Sequence, residues 1–125
     1  MPDILKSKTH FELLTEELRS AVQLLAVIRR AREADEWLDA EVFAEILVVG
    51  MRRAGVSASD LANAEKVSRS AVSKWVNREA IPAVPTRKTI LSWIKDTLEA
   101  RKEALQSKIE ELYPRGFVSE REEVG

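Results

Sequence analysis

A short polar segment near the middle of the chain carries hydrogen-bond donors and acceptors at helical spacing. Projected at 100° per residue, Ser70, Ser73, Lys74 and Asn77 fall on one side of a helix, with Arg69 at the flank of that side. Serine hydroxyls permit close approach, while amide, ammonium and guanidinium groups donate hydrogen bonds to base edges or to phosphates. The residue types therefore suit the major groove of DNA.

The opposite side of the same segment is apolar. Val72, Trp75 and Val76 are spaced i, i+3 and i+4, which is the pattern of a packing face. An ordinary amphipathic surface helix with a solvated polar face would have the same periodicity. Periodicity alone therefore leaves both interpretations open, and the flanking sequence is needed to choose between them.

The flanking sequence predicts a helix-turn-helix. Residues 57–65 form a short helix that Ser57 can cap, with Asp60 at the third helical position. A tight turn follows at residues 66–68, and Ser68 can cap the second helix. Two short capped helices joined by a three-residue turn are more specific than either helix alone, so the context favours DNA binding.

The distribution of charge agrees with a nucleic-acid partner. The net charge is only −1, but residues 50–95 hold nine Lys and Arg against three acids, which gives +6. The rest of the chain holds eleven bases and eighteen acids, which gives −7. Local charge decides whether a surface attracts phosphate, so the sequence predicts a basic face on an acidic scaffold.

Other kinds of chemistry find little support. There is no cysteine, and the single histidine, His10, has no companion at metal-ligand spacing and no orienting acid for a catalytic triad. Residues 48–55, VVGMRRAG, lack the GK[ST] ending of a phosphate-binding loop. Paired acids such as Glu16–Glu17 are typical of solvated charge. We therefore expect no enzyme, no catalytic residues, no metal site and no cofactor.

The chain as a whole is predicted to be all-α. The helices around the helix-turn-helix are predicted at residues 9–34, where Thr9 and Glu12 suggest a capping box, at 38–54, and from Pro85 or Thr86 to about Tyr113. Gly55 fits the left-handed position that follows a helix. Residues 79–86, EAIPAVPT, are predicted to form a loop because two prolines in four residues break a helix.

The segment SASDLANAEKVSRSAVSKWVNREAIP resembles the Xre-type helix-turn-helix of lambda-repressor-like and Cro-like proteins. The residues that carry the resemblance are Leu61, Ala62, Val67, Ser68, Arg69, Ser70, Val72, Ser73, Trp75, Asn77, Arg78 and Pro82. The resemblance covers roughly residues 40–96. It implies a lambda-repressor-like bundle that binds an operator, as a dimer on a palindromic site and most often as a repressor.

Roles for individual residues follow from this resemblance together with the projection. The residues predicted to contact bases are Arg69, Ser70, Ser73, Lys74 and Asn77. The residues predicted to contact phosphates are Ser57, Ser59, Arg78, Arg87 and Lys88, assisted by backbone N–H groups at the start of helix 57–65.

The turn departs from the family pattern at two positions. Lys66 stands where glycine is common, and a left-handed residue that is not glycine costs roughly 1 kcal/mol. Glu65 stands where an apolar residue is common. We expect Glu65 to point outward or to meet Arg69 or Lys66.

A heptad of leucines marks the last helix. Leu91, Leu98, Leu105 and Leu112 recur every seven residues, which indicates either a coiled-coil seam between two copies or packing against the first helix of the same chain. The predicted organisation is an N-terminal helical arm at 1–37, a DNA-binding domain at 38–96, a dimerising C-terminal extension at 97–113 and a flexible tail at 114–125.

The leading hypothesis is a cytoplasmic, homodimeric transcriptional regulator that binds double-stranded DNA. The alternative is an antitoxin-like or adaptor protein whose acidic helical arms bind a protein partner and whose DNA binding is autoregulatory. A third possibility is a structural helical protein that no longer binds DNA. No apolar run approaches the roughly 18–20 residues that cross a bilayer, and residues 1–14 lack the core of a signal peptide, so no membrane partner is expected.

Overall fold

A computed structural model describes residues 7–116 and is all-helical over that range. The helices are α1 (Lys8–Glu33), α2 (Ala40–Ala54), α3 (Ala58–Glu65), α4 (Arg69–Val76) and α5 (Val84–Leu112), with a 3-10 turn at Glu36–Leu38 between α1 and α2. No β-strand is present within residues 7–116. None of the helices in this range is long and apolar enough to cross a membrane.

The start of α1 differs from the prediction. Ser7 is the N-cap, because its hydroxyl accepts a hydrogen bond from the His10 amide at 3.0 Å. The capping box assigned to Thr9 and Glu12 is therefore wrong, since Thr9 already lies inside the helix. Ser7 and Thr9 have similar cap chemistry, and the backbone entering the helix is extended at Ser7.

α2 begins two residues later than predicted, after Asp39. The Asp39 carboxylate accepts from the amides of Glu41 and Val42 at 2.9 and 3.1 Å, which caps the helix. The predicted end is confirmed, because Gly55 adopts a left-handed conformation with φ of 70°. Inside α2, Gly50 permits close contact with α5, since a Cβ at that position would lie 2.8 Å from Cγ2 of Ile94.

The core is formed by α1 and α5 packed along each other, with α2 against both, α3 against α5, and α4 against α2 and α3. One buried cluster joins all five helices and includes Ile28, Phe43, Leu61, Val72 and Ile94. A second, smaller cluster of Leu14, Leu105 and Tyr113 closes the far end of the α1–α5 pair. The N-terminal arm and the predicted DNA-binding domain thus share a core.

The leucine heptad of α5 lies inside the chain. Leu91, Leu98 and Leu105 are buried in the two clusters, and Leu112 is half-buried against the smaller one. Of the two interpretations of the heptad, packing against α1 is the one that the fold adopts. The tail predicted for residues 114–125 lies outside the described residues beyond Gly116.

Candidate nucleic-acid interface

The two short helices are capped as the sequence predicts. Ser57 accepts from the Asp60 amide at 3.1 Å while Asp60 accepts from the Ser57 amide at 2.8 Å, which completes a capping box on α3. Ser68 accepts from the Ala71 amide at 3.0 Å and caps α4. Helices of eight residues are marginal alone, so these caps and the packing beneath them must stabilise the pair.

The turn between α3 and α4 has a lysine at its left-handed position. Lys66 has φ of 56° and ψ of 43°, and the Val67 amide then donates to the Ala62 carbonyl at 3.0 Å. That hydrogen bond satisfies one of the last carbonyls of α3. Lys66 is also exposed, so the turn adds a cation next to the start of α4.

Glu65 takes a partner that the sequence did not indicate. Its carboxylate lies 2.8 Å from the Thr89 hydroxyl of α5, so the expectation that it would point outward or meet Arg69 or Lys66 is wrong. The same hydroxyl lies 2.9 Å from the Thr86 carbonyl, and its single proton serves one acceptor at a time. Thr89 is 24 residues away in sequence, which is why local reasoning missed the contact.

The apolar side of α4 anchors it to the core. Val72 is fully buried and Trp75 is 9% exposed, and both belong to the main cluster together with Leu61 of α3. Val76 is half-buried against that cluster. The packing face predicted from periodicity is therefore the buried face, and the polar side of α4 must point away from the core.

The residues predicted to contact bases are all exposed on that outward side, with Arg69 at its flank: Arg69, Ser70, Ser73, Lys74 and Asn77. The contact among them is a long hydrogen bond of 3.4 Å from the Asn77 amide nitrogen to the Ser73 hydroxyl. Arg69 and Lys74 have no ion-pair partner within residues 7–116. The face therefore presents uncommitted donors to solvent.

The N-termini of α3 and α4 differ in charge. Two hydrogen bonds from Ser57, one from its backbone and one from its side chain, lower the pKa of the Asp60 carboxyl, so a carboxylate sits in the first turn of α3. No acidic residue lies in the first turn of α4. Since the dipole of each helix is positive at this end, an incoming phosphate is disfavoured at α3 and favoured at α4.

This difference bears on Ser57 and Ser59, which were predicted to contact phosphate. Ser57 is exposed but its oxygen is occupied by the cap, and Ser59 is half-buried. The backbone amides of Ala58 and Ser59 have no hydrogen-bond partner in the described part of the chain. The site at α3 is thus two amides beside a carboxylate.

Two of the predicted phosphate contacts have partners inside the protein. Arg87 donates from Nε to the Pro82 carbonyl at 2.9 Å and from Nη1 to the Leu38 carbonyl at 2.7 Å, which ties the loop after α4 to the 3-10 turn. Arg78 lies 3.5 Å from a Glu41 carboxylate oxygen. It also lies 3.9 Å from a carboxylate oxygen of Glu45, likewise on α2.

Arg78 also ends α4. It adopts a left-handed conformation with φ of 61°. The Arg78 amide donates to the Trp75 carbonyl at 3.2 Å, and the Glu79 amide donates to the Lys74 carbonyl at 2.8 Å. This hydrogen-bond pattern is a Schellman motif, in which glycine usually takes the left-handed position. Lys88, the fifth predicted phosphate contact, is exposed at the start of α5 and has no ion-pair partner within residues 7–116.

His10 lies at the opposite end of the molecule. Its Nδ1 is 3.2 Å from the Tyr113 hydroxyl, which donates to the Ser7 carbonyl at 3.0 Å. Within residues 7–116, no three His, Cys, Asp or Glu side chains come close enough together to hold a metal ion.

Known proteins offer no guide to this interface. No family model, no curated protein and no solved structure matches the chain.

Proposed function

We propose that the protein is a sequence-specific DNA-binding transcriptional regulator, a binding protein and not an enzyme, with α4 as its reading helix. The observation that carries the proposal is the outward face of α4. Five exposed polar side chains, two of them cationic and neither of these ion-paired within residues 7–116, stand on a helix whose opposite face is fixed in the core. The resemblance to the Xre-type family adds support.

In this proposal α4 enters the major groove. An α-helix with its side chains is about 10–12 Å across, which fits the major groove of about 12 Å. Ser70 and Ser73 let the backbone approach, while Arg69, Lys74 and Asn77 are long enough to reach base edges. A guanidinium pairs best with guanine and an amide with adenine.

The phosphate contacts are revised by the internal partners. We assign phosphate contacts to Lys88, to Lys66 and to the free amides of Arg69 and Ser70 at the start of α4. Arg87 is assigned a positioning role instead, because it donates hydrogen bonds to the carbonyls of Leu38 and Pro82. Arg78 contacts phosphate only if it exchanges a carboxylate of α2 for the DNA backbone.

We further propose that the protein binds a palindromic operator as a homodimer and represses by occupying it. Two-fold operators match two-fold proteins, as the Xre resemblance implies. The seam of that dimer is not the leucine heptad, since those leucines are used within the chain. Light scattering with and without a bound duplex measures the mass, and one monomer per duplex would refute the dimer.

Selection of bound duplexes from a random library tests the main proposal. We expect enrichment of one consensus with two inverted half-sites. Replacing Arg69 and Lys74 by alanine should weaken binding to that consensus by on the order of 1–3 kcal/mol for each side chain that reads a base. The matched control is Arg30→Ala with Lys108→Ala, two exposed cations on α1 and α5 that should leave the consensus affinity nearly unchanged.

Two results would contradict the proposal. One is the absence of any enriched sequence together with binding that does not depend on salt, because several phosphate contacts impose a steep salt dependence. The other is full affinity of the Arg69→Ala/Lys74→Ala variant for the selected consensus.

A second candidate function is an adaptor that binds a protein partner through its helical arms. Three large apolar side chains on α1 are exposed, namely Leu13, Val22 and Val27. A second chain that co-purifies in fixed ratio, and no longer does so when Leu13 and Val22 are replaced by serine, would favour this candidate. DNA binding by α4 is compatible with it.

A further inference from the structure

Three arginines converge where α2 ends. Arg52 and Arg53 from the last turn of α2 and Arg101 from α5 line a cleft of about 160 Å³, together with Ser20 and Glu17 of α1. Three guanidinium groups therefore face one carboxylate and one hydroxyl. These five residues, which we call the arginine cleft, are brought together from three helices and were not predicted as a site from the sequence.

Only one of the three charges is matched. Nη2 of Arg101 lies 3.0 Å from a Glu17 carboxylate oxygen, and its Nη1 passes over Gly55, where a Cβ would lie 3.4 Å from that nitrogen. Arg52 and Arg53 are exposed, and no acid within residues 7–116 pairs with either. The arginine cleft thus has a surplus of two positive charges that a bound anion would neutralise.

The dipole of α2 gives only a partial reason for this arrangement. Cations stabilise the negative end of a helix, which accounts for the presence of Arg52 and Arg53 in the last turn. The carbonyls in that turn already have donors, however. The Gly55 amide donates to the Arg52 carbonyl at 3.2 Å, and the Val56 amide donates to the Met51 carbonyl at 3.0 Å. The dipole also gives no reason for Arg101, which reaches the same cleft from another helix.

The arginine cleft lies at one end of the helix-turn-helix. Nη1 of Arg101 lies beside Gly55, just before α3, whereas the Thr89 hydroxyl contacts the Glu65 carboxylate at the end of α3. These two positions of α5 are twelve residues apart, which is about 18 Å, so α3 runs antiparallel along this part of α5. The cleft therefore lies beside the start of α3, whereas α4 follows the opposite end of α3.

We propose that the arginine cleft binds a phosphate of the DNA backbone at the bank of the groove that α4 occupies. This inference rests on the proposed function. When a helix-turn-helix docks, its first helix crosses the backbone, so the start of α3 points toward phosphates outside the groove. The carboxylate of Asp60 repels a phosphate from the helix end itself, and the adjacent guanidinium forks, which bind phosphate in a bidentate manner, offer the place to hold it.

The experiment compares two double variants of the full chain. Arg52→Gln with Arg53→Gln removes the unmatched charges of the cleft, and Arg29→Gln with Arg30→Gln removes two consecutive exposed arginines of α1 with the same change in net charge. Binding to a random duplex and to the selected consensus is measured by anisotropy over a series of sodium chloride concentrations. The phosphate-specific arm is a titration of each protein with inorganic phosphate alone, followed by NMR of the arginine side chains.

We expect the plot of log affinity against log salt to become shallower for the cleft variant, with the magnitude of its slope reduced by about 1 to 2 on both duplexes. Base preference should be unchanged. The control variant should keep the wild-type slope. An unchanged slope in the cleft variant would overturn this inference while α4 could still read bases. Saturation by inorganic phosphate with no effect on the duplex slope would also overturn it, since the ligand would then be a free anion. Absence of salt-dependent DNA binding by the wild-type protein would refute both proposals together.

Discussion

The helix-turn-helix and the α1–α5 pair are stabilised in different ways. α1 and α5, of 26 and 29 residues, bury apolar stripes against each other over most of their length. α3 and α4 have eight residues each and rely on side-chain caps, a left-handed turn and a few buried anchors. The long pair thus has its most regular apolar pattern turned inward, and the short pair keeps its polar pattern turned outward.

The difference teaches that regularity of a pattern does not identify an interface. The leucine heptad is the most regular feature of the sequence, and it is used in the core. The exposed polar face of α4 comes from isolated polar residues whose shared direction is fixed by Val72 and Trp75 beneath them. How far the short helices depend on anchors, caps and turn can be tested at four positions.

The largest effect is expected at the anchor of α4. Replacing Trp75 by alanine removes a nearly buried indole from the main cluster and should lower the free energy of unfolding by about 3–5 kcal/mol. Urea denaturation monitored by circular dichroism measures this change in the free energy of unfolding. Leu13→Ala, at a side chain 61% exposed on α1, is the control and should change stability little. A decrease below about 1 kcal/mol at Trp75 would mean that α4 does not depend on the core.

A smaller effect is expected at the cap of α4. Ser68→Ala leaves the Ala71 amide without its acceptor and should cost about 1 kcal/mol of unfolding free energy. Ser107→Ala, at an exposed serine within α5, is the matched control, where alanine should be neutral or slightly stabilising. Equal effects at the two serines would contradict the dependence of the short helices on their caps.

The turn offers a gain in stability. Lys66→Gly removes the left-handed strain of a residue with a side chain and should raise the free energy of unfolding by up to about 1 kcal/mol. Thermal unfolding followed by calorimetry should show a higher Tm. Lys102→Gly, inside α5, places the same substitution in a regular helix and should lower the Tm. A lower Tm for Lys66→Gly as well would contradict the strain assigned to the turn.

The smallest effect concerns the cap of α3 and its dependence on pH. Because folding lowers the pKa of Asp60 below its ordinary value of 3.8, the carboxylate stabilises the folded state above that value, and the stabilisation is lost as pH falls through the lowered pKa. The difference in stability between the wild type and Asp60→Asn should therefore shrink as pH falls from about 5 toward 3. A difference that stays constant over this range would contradict the role given to the charge.

Local chemistry predicted much of the fold. Ser57 with Asp60, Ser68 and Gly55 each mark a helix boundary through contacts within three or four residues, and all three boundaries are confirmed. The predicted start of α1 was wrong because Ser7 and Thr9 are equivalent as caps until the backbone direction is known. The 3-10 turn at Glu36–Leu38 was missed because three residues carry no periodicity.

The exposure and common direction of the five α4 side chains follow from helical periodicity, and the fold agrees with that prediction. The long-range partners could not be predicted. Arg87 reaches the Leu38 carbonyl across 49 residues, and Arg78 reaches Glu41 and Glu45 on another helix. An arginine in a basic segment has the same sequence signature whether it faces solvent, a carbonyl or a carboxylate.

The hydrogen bond from Tyr113 to Ser7 brings the two ends of the described chain together at one pole of the molecule. From Thr89, beside the helix-turn-helix, α5 extends a further 24 residues to Tyr113, a distance of about 36 Å. A protein domain fused before residue 7 or after residue 116 would thus emerge at the pole remote from α4. Such chimaeras, and circular permutants that join the two ends by a short linker, should keep the exposed polar face of α4 clear.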